Sequence, residues 1–163
     1  MKKTSPLSYY QSLPKKRMGS GVIIRNKKGE ILLLKTSYKD HWEIPGGVVE
    51  ENESPLETAE REVYEEIGLN IKIKSCLVIH YRAGMKGQDE NIMFVSDGGT
   101  LTNLNKLKLD GKEIVEAKFV SFEQAAKLVG KRIGSRLPFC KQALKAKRTI
   151  YLESTNKMKP TAF

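Results

Sequence analysis

The sequence predicts a mixed α/β or α+β fold, a sandwich with a central β-sheet. Three observations point there. Strand-patterned runs open the ordered part of the chain, one strongly marked helix interrupts them at 54–67, and further strand runs give way to helical patterns near the end. Elements in that order pack as helices against a shared sheet. The length of 163 residues, 39% of them hydrophobic, suits one compact domain with some terminal excess.

Residues 1–17 show no clear period and read as an arm, with Tyr9, Tyr10 and Leu13 able to dock on something. Gly21–Arg25 and Ile31–Lys35 are β-rich and flank Asn26-Lys-Lys-Gly-Glu30, the pattern of a hairpin. Pro45-Gly46-Gly47 then breaks regular structure. In the helix that follows, Ser54 is placed to cap, Pro55 suits the first helical position, and Glu57 closes a capping box. Leu56, Ala59, Val63 and Ile67 recur at helical steps, and Gly68 stands where a left-handed cap is wanted. Ile71–Arg82 and Asn91–Ser96 are expected as strands around a loop at 84–90, and 98–113 as a loop. A short strand at Glu116–Val120, a helix capped by Ser121 and a basic helix at about 134–146 complete the domain, and a disordered tail is expected over 154–163.

Bulk chemistry narrows the class. No apolar run approaches the roughly 20 residues that span a bilayer, and Met-Lys-Lys leads into Thr4, Ser5 and Pro6 rather than an apolar signal segment. Cys76 and Cys140 lie far apart, with no CxxC or zinc spacing, and read as reduced thiols. A cytoplasmic protein without a membrane partner is therefore expected. The net charge of +10 attracts polyanions, yet the basic residues cluster at the two ends and no aromatics interleave with them. A dedicated nucleic-acid surface is not the expectation.

On the central helix Glu62, Glu65 and Glu66 stand at i, i+3 and i+4, on one face. Three like charges repel unless something positive sits there, and oxygen-rich clusters suit hard cations such as Mg²⁺. A solvated acidic face is the bland alternative. The surroundings decide against it: Gly47, Glu53, Arg61, Glu62, Glu65, Glu66 and Gly68 fill every fixed position of G-x5-E-x7-R-E-U-x-E-E-x-G-U, with Val63, Ile67 and Leu69 aliphatic. Chance supplies seven such identities at odds on the order of one in a hundred million per start position, so coincidence is set aside. This box resembles that of the Nudix hydrolase (MutT-like) family. Trp42-Glu-Ile-Pro-Gly46-Gly47 looks like the family's lead-in, and Glu113–Val120 its closing strand, so about residues 18–130 are similar to it.

The resemblance implies an α/β/α sandwich with a mixed central sheet over 18–153, including the basic helix. It implies a Mg²⁺-dependent enzyme (Mn²⁺ possible) cleaving a phosphoanhydride bond in a nucleoside diphosphate linked to another group. An NDP-sugar, ADP-ribose or a (d)NTP would fit. Glu62, Glu65 and Glu66 would be metal ligands, and Arg61 would brace Glu65 bidentately. Glu53 would help hold metal or orient Arg61, and Gly46, Gly47 and Gly68 serve the backbone. Glu113 matches a position where some members place the general base; Glu116, Glu66 and Glu53 remain open. Outside the box, Trp42 could stack on a ring or simply pack, while Tyr38, Lys39 and Arg82 could line the substrate pocket. His41 and His80 read as satisfied or solvent-facing. A nucleotide-sensing or RNA 5′-end-binding module without catalysis is the rival class, and a monomer or homodimer is expected.

Overall fold

The computed structural model describes residues 6–84, 87, 89–154 and 161–162. The predicted turn forms. Asn26 Oδ1 accepts from the backbone N–H of Lys28 and Glu30, and Gly29 takes φ 79°. It joins β1 (Arg17–Arg25) to β2 (Ile31–Thr36), but only Arg25 and Ile31 pair in register. The two strands splay because the Pro-Gly-Gly segment fills the wedge between them. β3 (Trp42–Glu43) pairs with β2, and β4 (Gly46–Val48) pairs with β1. The other partners come from far along the chain. β1 lies parallel to β6 (Asn91–Thr100), and β2 antiparallel to β7 (Ile114–Val120).

β1 and β2 are almost continuously buried, as strands covered on both faces must be. Their side chains divide by parity. Val22, Ile24, Leu32 and Leu34 meet Ala59, Val63 and Ile67 of α2 (Pro55–Ile67). Ile23, Ile31 and Leu33 join a second core. That core includes Ala125 of α3 (Phe122–Leu128) and Leu137, Cys140 and Ala143 of α5 (Leu137–Ala146). Helix, mixed sheet and helix thus form three layers.

Helix α2 takes the predicted bounds, with both capping-box hydrogen bonds present and Gly68 left-handed at φ 68°. One position differs: Leu56 is half exposed and Thr58 is buried in its place. Other differences follow from partners distant in sequence. β5 (Ser75–Arg82) starts four residues later than expected, while β6 runs on to Thr100 alongside β1. The basic helical stretch is two pieces: Lys131–Gly134 forms a single turn (α4), and α5 starts at Leu137 with Pro138 in its first turn. An unanticipated strand, β8 (Ile150–Ser154), adds parallel to β5, and β9 (Thr161–Ala162) pairs with β8. Ser154, Thr161 and Ala162 are therefore paired strand residues of the tail expected to be disordered; 155–160 and 163 lie outside the described residues.

In the expected arm, Pro6–Ser12 forms a short helix (α1) and Arg17 already belongs to β1, while Tyr9, Tyr10 and Leu13 remain exposed. Both cysteines are free; burial pushes the Cys140 thiol up to about 12. Among the described residues no helix is long and apolar enough to cross a membrane.

Candidate active site

The Pro-Gly-Gly turn lies against one face of α2, and its glycines make that approach possible. Gly46 takes φ 140°, and a Cβ there would fall 2.1 Å from the Ser20 carbonyl oxygen. A Cβ on Gly47 would fall 2.1 Å from Glu62 Oε1. The Gly46 N–H donates to Glu66 Oε2 at 3.0 Å. Burial, followed by the charges of Glu62, Glu113 and Glu43, pushes the Glu66 carboxyl up to about 8. Burial likewise raises Glu62, against the pull of Arg61.

Arg61 organises the remaining acids. Its Nε and Nη2 grip the two oxygens of Glu53 at 2.7 and 3.0 Å, and its Nη1 donates to Glu62 and Glu65, both at 2.9 Å. The bidentate partner is thus Glu53, not Glu65 as expected, because the residue before the helix reaches across to the guanidinium edge. Arg61 and then Thr58 hold the Glu53 carboxyl down at about 2. Glu65 is 56% exposed and turned toward Arg61.

Among the described residues no three acidic, histidine or cysteine side chains already converge as a closed metal cage. The donor chemistry nevertheless fits Mg²⁺. Glu62 and Glu66 are sequestered, oxygen-only and under mutual repulsion. Mg²⁺ is commonly held by one or two carboxylates together with waters and substrate phosphates.

Glu113 sits in the loop before β7, where Asp110 accepts hydrogen bonds from the backbone N–H groups of Lys112, Glu113 and Ile114. Its charge acts on both Glu62 and Glu66. Tyr38 donates its hydroxyl to Glu113 Oε1 at 2.6 Å, a bond that leads in pushing the phenol up to about 12. Glu116 pairs across the ladder with Lys35 and is exposed.

A cavity of about 520 Å³ adjoins Gly47 and Val48. Its lining includes the cations Arg17, Lys39, Arg82, Arg132 and Arg136 together with His41. Of the residues expected at the substrate, Lys39 and Arg82 line it, while Tyr38 stands by Glu113 instead. Of the two alternatives for Trp42, its surroundings match packing and not a stacking ring. It is 9% exposed, packed in the core with Ile44 and Val129, and the Lys118 ammonium lies 3.8 Å from its ring centroid.

The NUDIX domain family model matches residues 15–138. The chain belongs to the NUDIX domain family. A Bacillus subtilis protein named "Putative 8-oxo-dGTP diphosphatase" is 36% identical over 103 residues, covering 63% of this NUDIX chain and 65% of that protein. An RNA pyrophosphohydrolase of Hamiltonella defensa is 39% identical over 66 residues, 40% of each chain. The match thus spans less than two thirds of either relative. The crystal structure of a MutT protein from Methanosarcina mazei Go1 superposes with a TM-score of 0.65 at 27% identity, covering 85% of this chain and all of that one.

Four residues that line the cavity were not assigned to a site from the sequence: Glu43, Arg17, Arg132 and Arg136. Glu43 could have been suspected from its place in the Trp-Glu-Ile-Pro-Gly-Gly lead-in. The arginines carry no local signal, because the cavity is assembled from β1, α4 and the start of α5.

Proposed function

We propose that the chain is a Mg²⁺-dependent hydrolase of phosphoanhydride bonds, acting on a nucleoside diphosphate linked to another group or on a (d)NTP. One observation carries this reading: two sequestered, mutually repelling carboxylates adjoin, through Gly47, a cavity lined by arginines. Glu62 and Glu66 would hold the metal, with Glu65 the outer candidate. Bound Mg²⁺ or Mn²⁺ would neutralise diphosphate oxygens and lower the pKa of a bound water.

The chain's own groups would do the rest. Glu113 accepts the proton of the attacking water, its carboxylate held by the Tyr38 hydroxyl. Glu66 is the competing base. Glu53 is a poor one, because Arg61 and Thr58 engage its oxygens and keep it ionised far below neutral pH. Arg61 and Glu53 are therefore positioning residues that fix where Glu62 and Glu65 point. Lys39 and Arg82 receive substrate anionic groups.

The names of the relatives set the panel to assay: dNTPs including 8-oxo-dGTP, NDP-sugars, ADP-ribose, dinucleotides and 5′-triphosphorylated RNA, each with Mg²⁺ or Mn²⁺. Ranking kcat/KM identifies the substrate. No turnover of any member would overturn the reading in favour of a nucleotide-sensing module. RNA 5′-end hydrolysis is the second reading, favoured by the arginine-lined cavity; it requires RNA to rank first and its binding to weaken steeply with salt.

A further inference from the structure

The lining of the cavity is strongly basic. Among the described lining residues Arg17, Lys39, Arg82, Arg132 and Arg136 are basic, and Glu43, which pairs with Lys39 at 2.6 Å, is the one carboxylate. Among the described lining residues the imidazole of His41 is the one aromatic ring, with no phenyl, phenol or indole beside it, so the lining favours anion binding over base stacking.

Arg136 is the decisive member. It is 6% exposed, and among the described residues its one side-chain hydrogen bond runs from Nε to His80 Nδ1, at 2.9 Å. His80 is 1% exposed, and burial followed by the charges of Arg136 and Arg82 holds its ring down at about 4. The ring is neutral near pH 7. Because Nδ1 accepts, the proton is on Nε2, which donates to Ser154 Oγ at 2.5 Å. The relay therefore orients a buried cation without neutralising it. Burial, then repulsion from Arg82, draws Arg136 down to about 10, so it keeps its charge at neutral pH. A buried cation with like charges around it is costly unless an anion joins it, and guanidinium forks match phosphate oxygens.

We propose that the cavity is a subsite for a phosphate group carried by the substrate in addition to the bond that breaks, with Arg136 as its specificity-determining residue. This deepens the hydrolase reading and rests on it for the identity of the bound molecule as a substrate. The phosphate is either part of a longer polyphosphate chain or a phosphomonoester elsewhere on the molecule. The chemistry is the same.

Matched substrates test it: dGTP against dGDP for the chain, and 2′-phospho-ADP-ribose against ADP-ribose for the phosphomonoester. In Arg136→Met, KM for the phosphate-richer member of the preferred pair should rise about tenfold or more. Its kcat should stay within about twofold, and the poorer member should be unaffected. Arg136→Lys should recover part of the loss. Calorimetry with inorganic tripolyphosphate and no metal, in about 150 mM salt, should show wild type binding and Arg136→Met weakened to a similar extent. Lys141→Met, whose ammonium pairs with Glu123 away from the cavity lining, should match wild type. If Arg136→Met does not fold, the exposed Arg132→Gln carries the same comparison. Equal losses for both members of each pair, or unchanged tripolyphosphate binding, would overturn the subsite. Tripolyphosphate discrimination without turnover of any nucleotide would instead overturn the hydrolase reading and leave the subsite standing.

Discussion

Glu113 and Glu116 stand three residues apart where β7 begins, and their surroundings separate them. Glu113 is tied to Tyr38 and acts on the charges of Glu62 and Glu66, whereas Glu116 faces Lys35 across the ladder. If Glu113 is the base, Glu113→Gln lowers kcat about a hundredfold or more and Glu116→Gln leaves it within about twofold. Steady-state kinetics on the preferred substrate checks both, and a near-wild-type Glu113→Gln would shift the role to Glu66. At this scale the box residues were legible because their chemistry is written in spacing along a single helix. Trp42 was not, since whether its ring meets a ligand or the core depends on Val129 and Lys118, far along the chain. Arg136 was invisible for the same reason: its partner His80 lies 56 residues away.

Helix α2 separates stability, at its capped start, from chemistry, on the acidic face that meets Gly47. Ser54 holds the helix start through the capping box and is hydrogen-bonded to neither Glu62 nor Glu66. Ser54→Ala should cost about 1 kcal/mol, read as a lowered urea midpoint with kcat unchanged. Gly47→Ala should do the reverse. Its added Cβ would displace only the flexible end of Glu62, so the midpoint moves little. The Mg²⁺ concentration needed for half-maximal activity should rise about tenfold, as expected when the orientation of a ligand is disturbed. An unchanged Mg²⁺ requirement would mean that Glu62 does not depend on this contact. The helix could be read almost whole from sequence because cap, proline, stripe and terminating glycine are all local signals. The hairpin was read half correctly. Its turn is local, but the wedge that splays β1 from β2 and the pairing of β8 with β5 are long-range contacts, and sequence periodicity carries no register for them.

Across the whole molecule, the three-layer order could be anticipated, but the polar knot that ties its distal side together could not. His80 on β5 is joined to Arg136 at the entry of α5 and to Ser154 at the end of β8, so one neutral imidazole links three elements. That knot has a pH signature. The ring titrates near its ordinary 6.5 when unfolded and at about 4 when folded. Between those values the unfolded chain binds the extra proton. The contribution of His80 is therefore present above about 6.5 and is lost as pH falls toward 4. Between pH 7 and 5 the loss is about 2 kcal/mol. Glu66, raised to about 8, acts in the opposite direction because its folded form takes up the proton first, so the wild-type curve alone does not isolate the histidine. The difference between wild type and His80→Gln does. Urea denaturation at pH 7 should show the variant less stable, and the gap should narrow by about 2 kcal/mol at pH 5. A gap that stays constant across that range would mean that His80 is not held neutral by its burial beside Arg136, and the relay that aims the arginine would lose its physical basis.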